Sequence, residues 1–188
     1  MEKRNPVGEL MSSAKKKLSR GAGSSGSRTV TTLEDLGTQE TTQLRLRLTN
    51  AQAPSRPYHE PGRWEQFKTW METCFRPPED LEEPSTDPAI TERNVERIKR
   101  SFDSMRNQLA REERNAIREM RTLPPEQQED VAKFWEAASS FFGKILDWMS
   151  KMFAAAMEKL RQGFRIVKEQ LLLIFAEAKK IMQSWLDI

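Results

Sequence analysis

This chain is poor in the residues that most enzymes and secreted scaffolds depend on. It has one cysteine, one histidine and one tyrosine in 188 residues. A lone Cys74 cannot close an intramolecular disulfide, which excludes a disulfide-stapled secreted scaffold and fits a reducing compartment. His59, set in Pro57-Tyr58-His59-Glu60-Pro61, has no second His or Cys at metal-ligand spacing. Long apolar runs are also missing. Leu171 to Ala176 is the longest strongly apolar block, flanked by Glu169 and Glu177, far short of the roughly 20 residues a membrane span needs. The first residues, Met1-Glu2-Lys3-Arg4-Asn5-Pro6, lack the apolar stretch of a secretory signal. The run Gly21 to Ser27 has neither a preceding strand nor a Lys-Ser/Thr ending, so it is no phosphate-binding loop.

Only 37% of the chain is apolar and 31% is charged, lean for one compact domain of this length unless part of the chain is excused from the core. The small net charge of +3 hides an uneven distribution. Residues 1–30 carry seven Lys/Arg against two Glu, residues 61–90 three against seven acids, and residues 124–188 nine against nine. Residues 1–58 combine Lys15-Lys16-Lys17, a Gly/Ser run and several prolines with few large apolar side chains, the composition of a disordered tail. Inside it, Leu44, Leu46 and Leu48 alternate with Arg45 and Arg47 in the period of a half-buried strand or of a loose segment that alternates by chance. Lys15, Lys16, Lys17 and Arg20 form a basic patch suited to phosphate-rich surfaces or nuclear import, with Ser12, Ser13 and Ser19 as phosphorylation candidates. Solubilisation alone is the competing role.

Beyond residue 60 the apolar spacing becomes helical. Trp64, Phe67, Trp70, Met71 and Cys74 share one face of a short helix over residues 62–76, ended by Pro77-Pro78. A Pro-rich acidic linker, 77–87, leads to Asp87-Pro88, an N-cap acceptor followed by the residue best suited to the first helical turn. A charged helix over 88–122 follows. Its Val95, Ile98, Phe102, Met105 and Leu109 make a two-heptad seam suited to oligomerisation, but the Arg111 to Arg114 block is charged all round, and the helix reads as a solvated arm more than a core element. Pro124-Pro125 breaks the chain again.

Then comes the most regular pattern in the sequence. From Val131 to Trp185, sixteen apolar residues advance by three or four over 54 positions, an average of 3.6, the period of a straight α-helix. Trp135, Phe142, Ile145, Met149, Phe153, Leu160, Phe164, Leu171, Ile174 and Trp185 are its principal members and the candidate membrane- or partner-binding residues. Phe134, Phe141, Leu146, Met152, Met157, Ile181 and Leu186 widen the stripe. Gly143 and Gly163 interrupt it, each costing about 1 kcal/mol in a helix interior. Unbroken, the helix spans roughly 90 Å. Folded at Gly163, it becomes a hairpin that buries its own face, the preferred arrangement because so wide a stripe left in water invites aggregation.

The expected fold class is therefore all-α: a long amphipathic C-terminal helix or helical hairpin with shorter upstream helices, preceded by a disordered tail. The stripe has three competing uses: a bundle core or self-association, a membrane interface, or a partner's groove. The expected function is that of a non-enzymatic helical adaptor or accessory protein, in the cytoplasm or at membrane surfaces, with no cofactor and no small-molecule substrate. A self-assembling coiled-coil scaffold and an electrostatic nucleic-acid binder acting through the basic tail are the alternatives. In layout, a basic tail before an aromatic-rich helical half, the chain resembles small viral accessory proteins and some peripheral membrane remodellers.

Overall fold

A computed structural model describes residues 28–54 and 61–186. Six helices account for most of them: α1 (Leu33–Leu36), α2 (Gln39–Asn50), α3 (Pro61–Cys74), α4 (Pro88–Met120), α5 (Pro125–Arg161) and α6 (Lys168–Trp185). Two two-residue strands, β1 (Arg28–Thr29) and β2 (Phe164–Arg165), pair in parallel. The fold is all-α, and its C-terminal part is a helical hairpin.

Helix α5 is the axis of the molecule. It touches α1, α2, α4, α6 and β2 directly, and the rings of Trp64, Phe67 and Phe75 on and beside α3 pack on its Phe134, Trp135 and Phe142. That encirclement explains the width of the stripe. Fifteen α5 residues are buried, among them Trp148, Phe134, Ile145 and Met149, each 0% exposed. A helix covered from several sides needs apolar residues on more than one face.

The chain reverses at Gly163, whose φ of +87° lies in the left-handed region that residues with a Cβ adopt at a cost. Its N–H donates to the Leu160 carbonyl, closing the end of α5, and Phe164 turns inward. α6 then runs back along α5, as the stacked Phe141–Trp185 rings at 4.8 Å and the Phe153–Phe175 pair at 5.5 Å record. Gly143, by contrast, lies on the exposed side of an unbroken α5. The stripe positions 131 to 185 therefore face each other across the hairpin.

α4 begins at Asp87-Pro88, where the Asp87 carboxylate accepts from the Ala89 N–H at 3.0 Å. It folds back on α5 with Phe102 beside Phe153 and Ser139 donating to Glu113. The solvated arm is thus corrected: Ile98, Phe102, Met105, Leu109 and Ala116 bury one α4 face in the same core.

The tail assigned to residues 1–58 is corrected over residues 28–54, which form a strap of ordered secondary structure across the hairpin. Residues 1–27 and 55–58 lie outside the described residues. The Thr41 to Thr49 stretch is helical rather than extended. Its Thr38 and Thr41 hydroxyls cap each other's backbone N–H at 3.2 and 2.8 Å, a reciprocal start signal. Leu44 and Leu48 are also four apart, so the alternation contains an i, i+4 helical pair. Leu48 is buried and Leu44 packs on the core, while Leu46 points to solvent.

Candidate functional site

Every stripe residue proposed for membrane or partner contact lies inside the chain's own core. Trp135, Phe142, Ile145, Met149, Phe153, Leu160, Phe164, Leu171, Ile174 and Trp185 are all buried. The structure therefore reassigns them from an outer binding face to the interior. The physical reason is the Gly163 reversal, which lets α6, with α2, α3 and α4, cover what a single straight helix exposes. The oligomerisation seam is corrected likewise: Ile98, Phe102, Met105 and Leu109 are buried, and Val95 packs half-buried against the same core. The basic patch Lys15, Lys16, Lys17 and Arg20, and His59 with its neighbours, lie outside the described residues.

What remains on the surface is concave and polar between α3 and α4. Two open hollows occupy this junction. One, of about 610 Å³, has an aromatic wall of Phe67 and Trp70 facing Ala116 and Asn115, and an Arg63–Glu119 ion pair spans the two helices beside it. The other, of about 570 Å³, lies where α3 ends at Cys74 and is bounded by Pro77, Pro78, Arg97 and Gln108.

The second hollow is framed by a clasp that ties the 77–87 linker to α4. Asn94, 1% exposed, pairs its amide with the backbone of one residue: its Oδ1 accepts from the Glu82 N–H at 2.9 Å and its Nδ2 donates to the Glu82 carbonyl at 3.0 Å. The Glu82 carboxylate accepts a fork from Arg93 at 2.7 and 2.8 Å and a third bond from Arg97 at 2.6 Å. Arg97 also reaches Asp80 at 3.0 Å. These hydrogen bonds, led by Arg93, hold the Glu82 carboxyl down at about 2. Leu81 is buried, and Glu83 accepts from the Lys168 N–H at 3.1 Å, placing a negative charge at the start of α6 where the helix dipole favours it.

Cys74 lies beside this hollow but not as a nucleophile. Burial, with the Glu112 carboxylate as a second cause, pushes its thiol up to about 12, so at neutral pH it stays protonated. Its Sγ sits 3.6 Å from Gln108 Oε1. Among the described residues, no group of three His, Cys, Asp or Glu is placed to hold a metal ion, and no helix is long and apolar enough to cross a membrane.

A third constellation joins the strap to the hairpin. Trp148 Nε1 donates to the Thr41 carbonyl at 3.1 Å, and Lys159 Nζ to the Gly37 carbonyl at 3.0 Å. Burial lowers the Lys159 ammonium below the ordinary lysine value. Val30 N–H donates to the Arg165 carbonyl at 3.1 Å. Gln170 serves two elements at once: its Oε1 accepts from the Val167 N–H at 2.9 Å, capping α6, while its Nε2 donates to the Val30 carbonyl.

Sequence reading missed the clasp and the strap because their signals are single residues. Asn94 sits within the apolar register of α4, where a buried amide needs partners. That position was the available clue.

The fold and its surface define a helical bundle organised around one central helix. Comparison with protein-family models, characterised proteins and solved structures finds no match for this chain.

Proposed function

We propose that this protein is a non-enzymatic helical adaptor or accessory protein, whose folded body offers polar outer faces and the α3–α4 hollows to other macromolecules. The observation that carries this reading is the division of labour in the sequence. The apolar stripe, the strongest binding signal in the chain, is used up internally, and what faces outward is charged on every long helix. The protonated Cys74 thiol and the structural use of Glu82, Arg93 and Arg97 in the clasp further support a binding role over a catalytic one. A cytoplasmic setting agrees with a single buried thiol.

Membrane association through the stripe and self-assembly through the α4 seam both require the core to open. Hydrogen exchange on the full chain, alone and with phosphatidylcholine vesicles, separates the readings. The adaptor reading expects the α5 and α6 amides to keep their protection and the protein to stay off the vesicles. Co-flotation with loss of that protection identifies the stripe as the working surface instead. Light scattering at high concentration completes the test: a monomer is expected, and a defined oligomer points to the scaffold.

A further inference from the structure

Helix α4 has a second face that the core does not use. Opposite Ile98, Phe102, Met105 and Leu109, arginines recur at three- and four-residue intervals: Arg93, Arg97 and Arg100, then, past Ser104 and Asn107, Arg111, Arg114, Arg118 and Arg121. This spacing sets them in one line along the helix. The first two are engaged by Glu82 and Asp80. The other five are exposed, and among the described residues none makes an ion pair. The helix dipole accounts for Arg118 and Arg121 near the C-terminal end. It does not account for Arg100, Arg111 and Arg114.

The choice of cation is uneven across the molecule. Residues 88–121 hold eight arginines and one lysine, whereas α5 and α6 together hold seven lysines and one arginine. Solubility alone is served by either residue. Arginine differs in its planar fork of donors, which grips phosphate through two parallel bonds, and in its weaker hydration. Three of the six acids of α4 are drawn aside: Glu119 pairs with Arg63, Glu113 accepts from Ser139, and Asp103 pairs with Arg106.

From Arg100 to Arg121 the line runs about 30 Å, at about 1.5 Å per residue, close to one turn of a nucleic-acid duplex at about 34 Å. We propose that this arginine line is a binding surface for the phosphate backbone of nucleic acid, independent of base sequence and separate from the basic Lys15 to Arg20 patch. A lipid surface is the less favoured polyanion. No large apolar side chain lies within the line to enter a bilayer, and Ile117, 40% exposed, stands to one side of it.

The test is fluorescence anisotropy of the full chain with labelled duplex RNA and duplex DNA across a salt series. Five phosphate contacts give a log–log salt slope of about −4 to −5 for B-DNA. The combined variant Arg111→Gln, Arg114→Gln, Arg118→Gln, Arg121→Gln is expected to flatten that slope by about three to four and to weaken binding at least tenfold at low salt. Circular dichroism should stay unchanged, because all four side chains face solvent. Lys144→Gln, Lys179→Gln, Lys180→Gln controls for loss of charge and should change the slope by no more than about one. The proposal is overturned if the arginine variant binds like wild type, if the lysine variant loses as much, or if Lys15→Gln, Lys16→Gln, Lys17→Gln, Arg20→Gln alone removes the slope. Phosphatidylserine vesicles or polyglutamate that displace the duplex at equal charge also overturn it, and identify a lipid or an acidic protein as the occupant.

Discussion

Helix α5 and the strap of residues 28–54 reach the same interior by different routes. α5 arrives through fifteen buried residues spread along 37 positions, so no single contact decides its place. Within the strap, Val30, Leu36 and Leu48 are the buried apolar side chains, with Thr41 beside them. Its order rests on individual hydrogen bonds: Trp148 to Thr41, Lys159 to Gly37 and Gln170 to Val30. A segment whose composition alone cannot offset its chain entropy is ordered once a preformed hairpin supplies donors at the right places. The strap therefore depends on the hairpin more than the hairpin depends on the strap.

Trp148 belongs to both regions, and its substitution should have the largest effect. Trp148→Ala removes a side chain that is 0% exposed and should cost about 3–5 kcal/mol in global stability, read by denaturant unfolding. Trp148→Phe keeps an aromatic ring but removes the indole N–H that reaches the Thr41 carbonyl. It should cost about 1–3 kcal/mol, with the hydrogen-exchange loss concentrated in α2. Equal loss of protection across α5 and α6 in the Phe variant would erase the distinction between the two regions.

Gly37→Ala attacks the strap from its other end. A Cβ there meets the Thr41 hydroxyl and, at 2.6 Å, Met152 Sδ, so these side chains must shift. The expected cost is about 1–3 kcal/mol, again with α2 amides exchanging faster while the hairpin keeps its protection.

Gly143→Ala tests the hairpin alone. The site is helical and exposed, with nothing within 4 Å of the added methyl. The substitution should stabilise by about 0.5–1 kcal/mol, raising the melting temperature without altering exchange in the strap.

The smallest effect belongs to the clasp, outside both regions. Glu82 titrates at about 2 in the folded chain against an ordinary 4.5. A carboxylate depressed by folding contributes stability that is fully present above its unfolded value and is lost as pH falls through the folded one. Melting temperatures measured between pH 4.5 and 2 should therefore fall less steeply in Glu82→Gln than in wild type. Parallel curves would remove the clasp from the account.

The same contrast explains what was legible in the sequence. The hairpin was readable because a 3.6-residue period repeated over 54 positions leaves few alternatives, and because Gly163 is the residue that tolerates a left-handed turn. The helix start at Asp87-Pro88 was readable from local chemistry. The strap was not. Leu44, Leu46 and Leu48 fit a strand as well as a helix over so short a run, and the bond that anchors the segment to the hairpin comes from Trp148, 107 positions away. Composition also misled at the α4 seam, where the heptad pattern is real but its partner is α5 of the same chain. As for the candidate site, periodicity identified the apolar residues but not which surface would cover them. The clasp and the arginine line lie on polar positions that an apolar pattern does not register.

The reversal at Gly163 turns an apolar stripe from an outer binding face into a core. Distance measurement by paired spin labels at Lys133→Cys and Ser184→Cys, both exposed positions, in a Cys74→Ala background tests it most directly. The Phe134 and Trp185 rings beside them lie 6.0 Å apart. The hairpin predicts a label separation within about 25 Å, two label linkers added to the 8–10 Å between packed helices. A separation near 75 Å, about 1.5 Å for each intervening residue of a continuous helix, would contradict it.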